Sequence, residues 1–215
     1  MAAILDTNHD TTPHLSALKA AGLETVIRYL SPIGPHGEKC IKAPEAHAIA
    51  GAGLRLALVC EGWGDFAHGA ISAGAGERDG AWCTDYAPAV GAPAGACLYY
   101  AVDADAGADQ IRKLVLPYFR SIRAKHHAAA IKYRTGVYGS GSVCSAVLAA
   151  GLADLSWLSC SMGWSGSRAY LAANGWALRQ HVPTTLCGID CDTDEANRDF
   201  GAFVAFAASQ PAATA

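Results

Sequence analysis

Short apolar runs recur along this chain, and most are followed by a helix-like segment, the rhythm of a parallel sheet joined by crossover helices. The spacing predicts eight strands: Ala2–Leu5, Thr25–Leu30, Arg55–Cys60, Ala96–Val102, Tyr133–Tyr138, Ser156–Cys160, Ala177–Val182 and Gly188–Cys191. Several are almost continuously apolar, as strands buried on both faces should be. Helices are predicted at Pro13–Ala21, Pro44–Ala50, Phe66–Trp82, Ala108–His127 and Ser142–Ala150, the first two opening on a proline that suits the first helical turn. Eight strands suit a closed (β/α)8 TIM-like barrel, irregular in its last crossovers, where only Arg168–Ala173 and then a loop are left to connect strands. The expected layout is a single barrel domain over residues 1–208 with a tail at 209–215, the segment FVAFAASQPAATA forming a last helix that frays.

The polar exceptions to the apolar pattern carry the chemistry. Asp6 closes the first strand, Glu61 the third, Asp103 and Asp105 the fourth, and Asp190 with Asp192 the eighth. In a barrel whose strands all run one way, these ends meet at one mouth, where barrel enzymes place their catalytic groups. Asp103 and Asp105 are two apart, so a persisting strand would point both to one side, about 6.5 Å from each other. Crowded like charges raise a pKa, which lets one carboxyl serve as an acid while its neighbour stays ionised, as in glycosidases. Tyr29, Trp63, Tyr100, Tyr138 and Trp164 would offer faces to sugar rings, and Gln180 an amide to hydroxyl groups. Plainer roles compete for other residues. Asp192 divides its claim between the ring and a cap, the polar run DTDEANRD is expected to lead into the final helix, Arg28 is read as the counter-ion of the acidic mouth, and His126-His127 as the answer to a helix dipole.

Composition narrows the partners. With 215 residues, 52% of them hydrophobic, the chain can bury one well-packed domain, and a net charge of -3 gives no basic footprint for nucleic acid or an anionic membrane. No run approaches the ~18 apolar residues of a membrane span. The opening MAAILDTNHD lacks the basic region of a signal peptide, so the expected address is the cytosol, with non-classical export if the target is the cell wall. The eight cysteines lie mostly in apolar runs and are read as core thiols; Cys187 and Cys191 have no second pair to complete a metal site, so no metal ligand is assigned. No cofactor is implied, although a ring of carboxylates is also how Mg2+ or Ca2+ is held.

The order Asp6, Arg28-Tyr29-Leu30, Glu61, YYAVDAD, Gly136-Val137-Tyr138-Gly139, Trp176, Gln180 and Gly188-Ile189-Asp190 resembles the glycoside-hydrolase-like barrel domain of bacterial proteins whose activity is mostly unassigned. That family is in turn similar to the family 25 lysozymes, muramidases on an irregular β/α barrel. The resemblance covers nearly the whole chain and implies catalytic or site roles for Asp6, Asp103, Asp105 and Asp190. It departs at the lysozyme pair Asp-x-Glu, which is Asp-x-Asp here, so that Glu61 is the one carboxylate of that length in the ring. The first expectation is therefore a hydrolase of bacterial cell-wall glycan, with Asp105 or Glu61 as proton donor and Asp103 and Asp6 positioning water or an acetamido group. The alternatives are a divalent-metal phosphodiesterase and a non-catalytic glycan-binding barrel.

Overall fold

The computed structural model describes residues 3–31 and 39–206. Strands β1 (Ile4–Asp6), β2 (Thr25–Tyr29), β3 (Arg55–Cys60), β4 (Cys97–Ala101), β5 (Arg134–Gly139), β6 (Leu155–Leu158) and β7 (Leu178–Gln180) pair in sequence order, all parallel. Each lies close to its predicted run. Between them run α1 (Leu15–Ala20), α2 (Ala43–Gly51), α3 (Ala73–Tyr86), α4 (Ala108–Gln110) leading through a π turn at Ile111–Val115 into α5 (Leu116–Ala128), α6 (Gly141–Ala149) and α7 (Ser167–Ala172). The result is a closed eight-stranded barrel wrapped by helices, the TIM-like architecture that the alternation of runs predicts.

The closure differs from expectation. In place of a parallel strand at Gly188–Cys191 there is a hairpin of β8 (Thr184–Leu186) and β9 (Ile189–Ala196). Between paired Leu186 and Ile189, Cys187 (φ 51) and Gly188 (φ 83) both take left-handed backbone, the two-residue loop whose twist suits a hairpin. A parallel partner would need a crossover of a dozen or more residues, which the chain does not have here. β9 therefore descends antiparallel to both β7 and β1, and its upper half with β8 stands above the mouth. DTDEANRD is thus barrel strand over most of its length, not the lead-in to a helix. Nor does a helix form as far as residue 206: Phe203 bridges to Leu56 across the foot of the barrel. The rest of the predicted final helix and the tail fall outside the described residues.

Strand alternation sorts side chains into two cores. Ile27, Val59, Tyr99, Tyr138, Trp157, Leu178 and Phe200 fill the barrel, while Val26, Leu58, Tyr100 and Phe119 pack between sheet and helices. Tyr99 is a keystone of the inner core. Its ring meets Trp157 edge-on with centroids 5.8 Å apart, and its hydroxyl donates to the Phe200 carbonyl at 3.0 Å. The ring lies across Gly136 of β5, where a Cβ would come within 2.3 Å of Cδ1.

Candidate active site

The pocket is built on the same alternation. Asp6 at the end of β1 sits directly opposite Asp192 of β9, so both side chains enter the barrel mouth. Gln180, the last residue of β7, stands opposite Asp194 and donates from Nε2 to Asp6 Oδ2 (3.1 Å) and Asp192 Oδ2 (3.0 Å), while its Oε1 accepts from the Tyr138 hydroxyl at 2.8 Å. Glu61 follows β3, and Asp103 is held at the rim beyond β4 by its N–H to the Gly64 carbonyl (2.6 Å). These groups, with Tyr29, Tyr138, Trp157 and Trp164, line a cavity of about 300 Å³. A second, shallower one of about 560 Å³ adjoins it, sharing Asp6, Tyr29 and Asp192 and continuing to Asn8, His9, Thr185 and Asp190.

The electrostatics follow from crowding. Burial, then the charge of Asp192, push Asp6 up to about 7 against the pull of its hydrogen bonds to Gln180 and Asp194. Burial also raises Glu61, Asp103 and Asp192, with Asp103 adding to the rise at the other two. Among the described residues the cation beside this cluster is Lys39, buried with its Nζ 3.7 Å from Glu61 and 4.3 Å from the centre of the Tyr29 ring.

Of the sequence-predicted residues, the mouth gathers Asp6, Glu61, Asp103, Tyr29, Tyr138 and Gln180, and Asp192 with them. Asp105 is not among them. β4 stops at Ala101, so the two-residue alternation lapses before Asp105, which turns outward to accept the Ser165 N–H at 2.8 Å. Asp190 lies in the outer cavity on the hairpin, accepting from the Thr185 hydroxyl at 2.8 Å. Tyr100 faces the helices and bonds His126 at 2.8 Å, so it offers no ring to a ligand in the mouth; His126 is correspondingly buried rather than answering a dipole at the surface. Trp63 is 41% exposed and stacked on His68, outside both cavities. Arg28 also points outward, where it makes a two-pronged pair with Glu45 of α2 (2.7 and 3.1 Å) and donates to the Thr7 carbonyl, so the acidic mouth is not its partner. Sequence reasoning missed Lys39 and left Asp194 to the polar run that caps and solvates a final helix. Lys39 precedes α2 outside any periodic segment, but a lone Lys beside Cys in a Gly/Pro-rich loop gives no signal of its partner.

Among the described residues no group of three His, Cys, Asp or Glu side chains is placed to hold a metal ion. Between Asp6 and Asp192 the space is filled by the N–H donor of Gln180.

Fold and mouth together define a glycoside-hydrolase-like barrel. The chain belongs to the Rv2525c-like family, glycoside hydrolase-like domain, which it matches over residues 16–202. It is 34% identical over 139 residues to the uncharacterized protein YbfG of Bacillus subtilis, covering 59% of this chain and 19% of that protein. To the putative peptidoglycan hydrolase Rv2525c of Mycobacterium tuberculosis it is 28% identical over 160 residues, 72% of this chain and 64% of that one. The chain therefore spans a fifth of the first and under two thirds of the second. The crystal structure of Rv2525c with L-tartrate superposes with a TM-score of 0.78 at 23% identity, covering 94% of this chain and 98% of that one; another crystal form holds HEPES. The catalytic domain of the endolysin ply40, from bacteriophage P40 of Listeria monocytogenes, shares the fold at a TM-score of 0.53 and 15% identity, over 90% and 93% of the two chains. One expectation is overturned. Rv2525c is a Tat-secreted protein, which removes the reading of a cytosolic protein made without a signal peptide; the residues that build a barrel carry no information about its address. Among the described residues no helix is long and apolar enough to cross a membrane.

Proposed function

We propose that the protein hydrolyses a cell-wall glycan, peptidoglycan or a related amino-sugar polymer, by carboxylate acid–base catalysis. The observation that carries this reading is the meeting of Asp6, Glu61, Asp103 and Asp192, all with raised pKa values, in one aromatic-walled pocket of a family whose relative Rv2525c is a putative peptidoglycan hydrolase. Glu61 is the proton donor in this reading. Burial favours its protonated form, and Lys39 stabilises the carboxylate left once the proton has gone to the leaving oxygen. Asp103, at the rim with Oδ1 3.4 Å from the Tyr138 hydroxyl oxygen, faces the positive charge that develops on the sugar. The adjoining cavity supports a polymer lying across the mouth on both sides of the reacting bond.

A metal-dependent phosphodiesterase has less support, because the amide of Gln180 occupies the place between Asp6 and Asp192 where a cation would sit. The non-catalytic alternative has one observation in its favour, the outward turn of Asp105. Reducing-end release from purified sacculi separates these readings. Glu61→Gln and Asp103→Asn should each lower release by about 100-fold or more with glycan binding retained and with no response to chelator. Binding without release by the parent protein would establish a module, and loss of release on chelation would establish metal.

A further inference from the structure

Asp194 lies one inward step below Asp192 on β9, opposite Ile4 on one side and Gln180 on the other, and is 4% exposed. Its Oδ1 accepts the Trp157 Nε1–H at 2.8 Å. Its Oδ2 is fully buried, and no donor among the described residues reaches it. A bare carboxylate oxygen in such a place has lost water and gained nothing in return. A proton on the Asp194 carboxyl removes the difficulty, because its O–H becomes a donor and the neighbouring Asp6 carboxyl, with which the Asp194 side chain interacts, is an acceptor. Asp6 is suited to that role, since its Oδ2 already takes the Gln180 amide N–H.

We infer that Asp194 keeps its proton at and above neutral pH and donates a hydrogen bond to Asp6, which makes Asp6 the member of the pair that ionises first, on the ligand-facing side. Asp194 is then a positioning residue that touches no ligand and acts through Asp6. The titratable groups above the pair among the described residues, Tyr29, Glu61, Asp103, Tyr138, Cys160 and Asp192, add negative or no charge, which opposes a second ionisation at the floor of the pocket. Lys39, the cation on that side, lies against Glu61. Burial acts in the same direction on Asp194, holding its pKa well above the usual carboxylate range. The consequence for catalysis rests on the carbohydrate reading above; the position of the proton does not.

The test needs no substrate. Carbon-13 NMR of the full chain carrying aspartate labelled at the carboxyl carbon follows each group through pH. The parent protein should show one carboxyl that remains protonated past neutrality and is absent from the Asp194→Asn spectrum. Asn keeps a donor toward Asp6, so in that variant the Asp6 midpoint should move by less than about half a unit; Asp194→Ala removes the donor and should raise it by about one unit or more. Any activity on glycan should follow with a pH profile displaced in the Ala variant and restored in the Asn variant. A parent spectrum in which every aspartate titrates below about pH 5 overturns the inference, and so does an Asp6 midpoint common to the parent and Asp194→Ala. If the Ala variant does not fold, the parent and Asn spectra decide alone. Absence of glycan hydrolysis with these titrations intact would count against the proposed function and leave the pair standing.

Discussion

One histidine should cost this protein stability in acid. His126 of α5 is 3% exposed, and its ring sits between Tyr100, whose hydroxyl is 2.8 Å from Nε2, and Thr135 Oγ1, 3.1 Å from Nδ1. The Tyr133 carbonyl, 3.4 Å from Nδ1, can only accept, which places the single ring proton on Nδ1 and leaves Nε2 to accept from Tyr100. Burial lowers the pKa from 6.5 to about 4. The unfolded chain therefore binds a proton below 6.5 that the folded protein refuses until about 4, so stability is intact above 6.5 and falls as pH drops through that window. At ~1.36 kcal/mol per unit the full loss is about 3 kcal/mol, of which roughly 2 are gone by about pH 5. The raised carboxyls of the pocket act the opposite way, because the folded state binds their protons more tightly. For that reason the informative quantity is a difference. Urea unfolding of the parent and of His126→Gln, each at about pH 7.5 and about pH 5, should show the parent losing about 2 kcal/mol more than the variant between the two conditions. Equal losses, or a larger loss in the variant, would refute the buried neutral imidazole.

Two further outcomes test the barrel interior. Asp6→Asn should stabilise the protein: with its folded pKa raised from 3.8 to about 7, Asp6 imposes a cost that is absent below 3.8 and complete above 7. Urea unfolding at about pH 8 should show a gain of about 2–4 kcal/mol that shrinks toward zero at about pH 4, and a variant no more stable than the parent at high pH would contradict the shift. Gly136→Ala should cost about 3 kcal/mol by thermal or urea unfolding, since Trp157 and the Phe200 carbonyl hold the Tyr99 ring against the new methyl group; a loss under about 1 kcal/mol would mean that the ring is free to move.

The barrel and most of its mouth are legible in the sequence because both depend on where apolar runs stop. Asp6, Glu61 and Asp103 each follow such a run, and the strands deliver them to one end. What escaped depends on backbone conformation. The direction of the last strand turns on left-handed φ at Cys187, and Cys is not a residue that announces such a turn. The parity rule that joined Asp105 to Asp103 assumes a strand, and the strand ends at Ala101. Asp194 reads as surface because polar residues inside strands usually are, and only its pairing opposite Ile4 and Gln180 shows that it faces inward. The outward pair of Arg28 with Glu45 follows from alternation on β2, where Ile27 and Tyr29 take the inner face.

The hairpin of β8 and β9 is fastened as well as folded. Thr7 donates to the Asp190 carbonyl at 2.7 Å, and the His14 ring meets the Cys187 carbonyl at 3.1 Å, so its middle and its tip are each tied to the segment that follows β1. One wall of the cleft is thus in place before anything arrives. The entropy of ordering that wall is met during folding rather than at association, and a rigid partner surface gives selectivity by refusing poorly shaped ligands instead of yielding to them. Whatever accommodation the cleft makes must come from the side opposite the hairpin, which makes recognition in this barrel asymmetric.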